Sequence, residues 1–167
     1  MRRLLLCLPL AGAVLLACTR PIDVQQTIHV ADISGGYHDV GIVEGRNKIV
    51  PSITFRITKS LNESIHPLSL NISFKKLPLP GTAPPPSEAD EEWDEFYIQT
   101  VDFQGNTSAP LTVRSKAGYT GDPPQTRDEI LHNHLFQDVR ADIFAKYAAG
   151  QWVKIESYQL PRRLLTD

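Results

Sequence analysis

The chain has 167 residues, 41% of them hydrophobic, and a formal net charge of −2. That length is one domain's worth with enough apolar material for a single core, and the mild negative charge argues against nucleic acid or anionic headgroups as general partners. Its two cysteines, Cys7 and Cys18, are too few for a disulfide framework or a cysteine-based zinc site.

The N-terminal stretch has the anatomy of an export signal. Arg2 and Arg3 form a basic start, and Leu4 to Leu16 is apolar, interrupted by Pro9 and Gly12. That run is short of the ~20 residues a helix needs to span a bilayer and fits a cleaved signal peptide. Leu15-Leu16-Ala17-Cys18 resembles the lipobox of bacterial lipoprotein precursors, Leu-x-[Ala/Gly/Ser]-Cys. The resemblance implies that residues 1–17 are removed and that Cys18 becomes the acylated first residue. Two or three acyl chains anchor lastingly where one is marginal. Thr19, in place of Asp after the cysteine, implies by the enterobacterial sorting rule the outer rather than the inner membrane, with the domain facing the periplasm. Processing takes the chain from 167 to 150 residues. Arg2 and Arg3 leave while all 19 Asp and Glu stay, so the net charge becomes −4. No thiol is then left for a disulfide, a metal or a nucleophile.

Residues 18–26 read as a polar tether containing Pro21, reaching at most ~30 Å when extended. The domain is expected over 27–160. Thr27 to Ile33 and Tyr37 to Val43 are strand candidates separated by Ser34-Gly35-Gly36, with a turn at Glu44 to Asn47. The clearest signal follows. Ile53, Phe55 and Ile57 alternate with Thr54, Arg56 and Thr58; Leu68, Leu70, Ile72 and Phe74 alternate with Ser69, Asn71, Ser73 and Lys75. Period-2 alternation separates an apolar face from a polar one. Two such runs around a polar loop predict paired antiparallel strands with one wet face.

Residues 77–95 form a Pro-rich, acidic stretch. Six carboxylates fall within Glu88 to Glu95, without the spacing or the Gly turn of a calcium loop, so a solvated loop is expected. Trp93 within it is either packed on the domain or an exposed contact. Phe96 to Phe103 is strand-like, Gly105-Asn106 a turn, and Pro110 to Ser115 an edge strand. Tyr119 sits in a Gly/Pro loop, a setting that can present an aromatic contact. Residues 124–134 are the one helical piece. Val139 to Tyr147, a turn at Ala149-Gly150, and Trp152 to Tyr158 make a hairpin. Residues 161–167 read as a loose tail.

Turn signals every ~8 to 12 residues predict an all-β fold, an immunoglobulin-like two-sheet antiparallel sandwich of seven to nine strands with one short helix. The run from Ile53 to Thr58, a loop with Asn62 and Ser64, and Pro67 to Phe74 resemble immunoglobulin-like domains of bacterial exported proteins, the FxLYD type among them. The resemblance covers residues 49–74. It implies a sandwich and brings no catalytic residues; Lys75-Lys76-Leu77 stands where that type carries Leu-Tyr-Asp.

No catalytic constellation, metal site or cofactor motif emerges. His132 and His134 would point about 160° apart on a helix, and His29, His38 and His66 are scattered. The reading is a non-catalytic, lipid-anchored envelope protein, an adaptor or accessory subunit with a protein partner and Trp93 and Tyr119 as candidate binding residues. Alternatives are a carrier of an apolar ligand or lipid between the sheets, and a hydrolase using Glu91, Glu92, Asp94 or Glu95.

Overall fold

The computed structural model describes residues 22–60, 64–79, 81–82 and 92–166. The signal, the lipobox with Cys18 and Thr19, and residues 83–91 of the Pro-rich acidic stretch, Glu91 included, lie outside the described residues.

Two long strands form the spine. β1 (Ile28–Val43) and β2 (Arg46–Lys59) pair antiparallel from Ile28↔Lys59 to Val43↔Arg46. They turn at Glu44 and Gly45, both at positive φ (51° and 77°), which matches the twist of a tight hairpin. Ser34-Gly35-Gly36, expected as a break, lies inside β1 beside a bulge. A Cβ on Gly36 would stand 2.7 Å from the Arg163 carbonyl oxygen, and one on Gly35 2.9 Å from that of Ser52. Glycine here admits neighbouring backbone rather than ending the strand.

The other edge of β2 takes three short partners in succession. β8 (Tyr119–Gly121) pairs with Asn47 to Ile49, β7 (Leu111–Arg114) with Ser52 to Phe55, and β6 (Thr107–Ser108) with Thr58; β5 (Phe103–Gln104) pairs with β6. β11 (Leu164–Leu165) lies parallel to β1 at Tyr37 and His38. These seven strands are the first sheet. The second runs β10 (Val153–Gln159), β9 (Val139–Tyr147), β3 (Leu68–Lys76), β4 (Glu92–Ile98), antiparallel throughout.

The protein is thus the expected all-β sandwich, with particular corrections. β2 and β3 are not partners: they belong to different sheets. Alternation identifies the buried face of a strand but not its neighbour. The connection between Lys59 and Leu68 is long enough to cross from one sheet to the other. Ile53, Phe55 and Ile57 therefore meet Leu68, Leu70, Ile72 and Phe74 face to face, all at 0% exposure. Val139, Ala141, Ile143 and Ala145 complete that layer.

The strand count among the described residues is eleven, above seven to nine because of the two-residue β5, β6 and β11. Among the described residues there are two helices, where one was expected. α1 (Val24–Thr27), capped by Asp23, buries Val24, so the tether is docked from Ile22 onward. α2 (Arg127–Leu131) is shorter than the expected 124–134. A Thr126–Glu129 capping box starts it, and Ile130 and Leu131 anchor it. The segment after Pro161 is a strap: the Tyr37 N–H donates to the Arg163 carbonyl, and the Arg163 guanidinium donates to that of Gly35.

Candidate functional site

The outward face of the second sheet is where polar and aromatic side chains converge. The registers of β4, β3 and β9 set three rows across it: Glu92, Lys75 and Arg140; Glu95, Ser73 and Asp142; Tyr97, Asn71 and Phe144. β10 extends all three, with Gln159 beside Arg140, Ser157 beside Asp142 and Lys154 beside Phe144. The sequence predicted a wet face here. Instead Asn71 (5%), Ser73 (1%), Lys75 (5%) and Asp142 (0%) are nearly inaccessible. Long flanking side chains close over them and leave a shallow groove of about 220 Å³ walled by Glu92, Glu95, Tyr97 and Trp152.

Asp142 organises the floor. It accepts from the Ser157 hydroxyl at 2.7 Å and pairs with Arg140 at 3.1 Å, Lys75 at 3.6 Å and Lys154 at 3.8 Å. A buried carboxylate needs such company, because an unpaired charge is costly away from water. Above it the Ser73 hydroxyl donates to Glu92 at 3.0 Å, and the Tyr97 hydroxyl donates to Glu95. Burial, together with the hydrogen bond and charge of Glu95, pushes the Glu92 carboxyl above its ordinary range, against the pull of Ser73 and Lys75. The bond to Glu95 likewise raises the Tyr97 hydroxyl. Tyr97 (56% exposed) and Trp152 (40%) form an edge-on ring pair at 6.2 Å on the rim, and the Lys146 ammonium lies 4.8 Å from the Trp152 ring centre.

The acidic run therefore splits. Glu92 and Glu95 enter the groove from β4, which begins within the stretch expected as a loop. Asp94 leaves it and ties β4 to the other sheet. It accepts from the Ser115 hydroxyl at 2.8 Å and from the Lys116 N–H. Burial alone would raise its carboxyl, but these bonds and those of the Ala117 and Glu95 N–H groups outweigh it and hold Asp94 below its usual range.

Trp93 and Tyr119 are brought together in one aromatic cluster, and Tyr119 also lines a surface hollow. Their rings are 4.8 Å apart, Tyr119 lies 4.2 Å from Phe136 and 6.3 Å from Tyr37, and its hydroxyl donates to the Gln137 carbonyl. Lys76 covers the outer side at 4.1 Å from the Trp93 ring centre. Both residues are half-buried and close one end of the sandwich. Burial raises the Tyr119 and Tyr37 hydroxyls well above the usual tyrosine range. His132 and His134 are exposed beyond α2, with His132 Nδ1 2.9 Å from the Asp128 carbonyl. Among the described residues no group of three or more His, Cys, Asp or Glu could hold a metal ion.

Two other hollows open at opposite ends. One, about 230 Å³, lies between β8 and the residues after α2, beside exposed Leu135. The other, about 310 Å³, lies by Lys59, His66 and Phe103. Sequence reasoning missed the groove. Its signals were Phe144 in the polar register of β9 and Trp152 just before β10, two aromatics where alternation called for solvated side chains.

No protein-family model, curated protein or solved structure matches the chain.

Proposed function

We propose that the chain is a non-catalytic, lipid-anchored binding module of the cell envelope, an adaptor or accessory subunit held through Cys18 and facing the periplasm. The lipobox resemblance supports the anchor, and Thr19 supports the outer membrane. The observation that carries the binding role is the groove over β3. Its polar floor is locked by an ion-pair network while two large rings stand open on its rim. Pre-positioned polar groups beside exposed aromatics are the common ingredients of a recognition surface. Glu92 and Glu95 share a hydrogen bond on one strand, whereas the two carboxylates of a glycoside hydrolase stand roughly 5 to 10 Å apart across the scissile bond, which favours binding over hydrolysis.

Two measurements test this reading. Acyl labelling and membrane fractionation are expected to place the wild-type chain in the membrane and Cys18→Ala outside it; equal membrane retention of both would refute the anchor. Photocrosslinking in intact cells from position 97 in the groove is expected to trap a discrete adduct absent from position 112, on the exposed face of the other sheet. Indistinguishable products from the two positions would refute the groove as the binding surface.

A further inference from the structure

Resting on that reading, we infer that the groove over β3 receives a sugar ring of a glycan chain. Three features of its lining match this ligand class. A pyranose has an apolar C–H face and a rim of hydroxyls, so its site needs flat apolar surface and hydrogen-bonding groups within one ring's width. Tyr97 and Trp152 supply apolar ring surface, exposed on the rim and set edge-on to each other. Aromatic rings give much contact area with few rotatable bonds to freeze.

The polar groups fit hydroxyls, which both donate and accept. Asn71 lines the groove; its amide N–H engages the Tyr97 hydroxyl and its amide oxygen can accept. Ser73 donates to Glu92 and keeps lone pairs for a ligand donor. Glu92 and Glu95 accept. Asn71 and Ser73 sit one strand position apart along the same face of β3, with Glu95 and Tyr97 in register beside them. Asn71 and Ser73 line the groove with the little surface they expose and are fixed in the sheet, so binding freezes little that is not already fixed.

Charge and shape point the same way. The cations are engaged within the face: Lys75 with Asp142, Lys154 with Asp142, Lys146 over Trp152. The groove thus presents two carboxyl groups and oriented dipoles rather than a free positive charge for a phosphate. Its volume of about 220 Å³ is below the roughly 300 to 1,000 Å³ of enclosed small-molecule clefts. It holds one ring and lies beside β4, an edge strand of its sheet, so a longer chain can run past.

The test uses the acylated protein in a detergent without sugar headgroups. Chitohexaose, cellohexaose and maltohexaose are the probes, read by saturation-transfer NMR from the ligand side. At least one is expected to bind, with affinity falling about tenfold or more in Trp152→Ala, returning in Trp152→Phe, and unchanged in Leu135→Ala at the separate end hollow. Binding by none of the three, or binding equal in wild type and Trp152→Ala, overturns the assignment. The two readings fail separately. A crosslink from position 97 without sugar binding removes the glycan and leaves the binding module, whereas loss of both removes both.

Discussion

Replacing Asp142 by leucine should show how much of the second sheet depends on one carboxylate. The substitution keeps the branched four-atom side chain, with methyls in place of oxygens, and removes the charge at a fully buried position. The Ser157 hydroxyl loses its acceptor, worth about 1 kcal/mol. Arg140 and Lys154, with side chains 30% and 43% exposed, can turn to water and contribute under about 1 kcal/mol between them. The main cost is Lys75, whose side chain is 7% exposed. Breaking a buried pair by removing one partner costs roughly 3 to 5 kcal/mol. The low end applies because Glu92 lies beside Lys75 and attracts it. The expected total is about 4 to 5 kcal/mol, or a fall in Tm of roughly 8 to 20 °C at this chain length. Urea unfolding followed by tryptophan fluorescence would measure it. The informative partner is Lys75→Met, since an apolar pair can replace a buried ion pair at little cost. The double variant is expected to be more stable than Asp142→Leu alone. A single-variant loss below about 1 kcal/mol, or costs that simply add, would refute the view that Lys75 depends on Asp142.

Three further outcomes are expected. Gly118→Ala puts a methyl 2.3 Å from the Ile49 carbonyl oxygen and 2.7 Å from Val50 Cγ1, so β8 must leave β2; a loss of at least about 2 kcal/mol is expected in the same unfolding assay. Asp94 is held below its ordinary value of 3.8. Its contribution is therefore present above that pH and lost as pH falls through its folded value, so wild type and Asp94→Asn should differ at neutral pH and converge in acid. Glu92 has the opposite sign: raised above 4.5, it destabilises as pH climbs through and beyond that value, so Glu92→Gln should be the more stable protein at neutral pH and lose its advantage in acid.

Strand faces were readable because alternation reports burial directly. Every inner residue assigned to the runs around Phe55 and Phe74 is in the core, and the β9–β10 hairpin stands where its turn residues place it. Partnership was not readable. Nothing local distinguishes a β2 that pairs with β3 from one that faces it across the core, and nothing in Leu164-Leu165 announces a parallel strand against β1. Gly35 and Gly36 look like punctuation until the Arg163 strap shows what approaches them. The groove was hidden for a related reason. Asn71, Ser73 and Lys75 read as solvated when β3 is considered alone, and only Tyr97, Phe144 and Trp152 from three other segments convert them into a floor. Trp93 and Tyr119 drew notice as large aromatics among loop residues, but composition cannot say which way a ring turns.

The β1–β2 ribbon has a mechanical consequence. β1 carries 16 residues, roughly 50 Å at the rise of a strand, and its first residue follows directly on the segment leading back to Cys18. With the chain anchored at Cys18 as proposed, tension between the anchor and a bound load would pull β1 along its own axis. Its ladder to β2 is then loaded in shear, with many hydrogen bonds bearing force together instead of parting one at a time. The bulges at Ala31/Ser34 and Asp39/Gly41 mark where such a ribbon would yield first. A domain dragged from its N-terminal end would thus resist extension along the direction in which its sequence makes it longest.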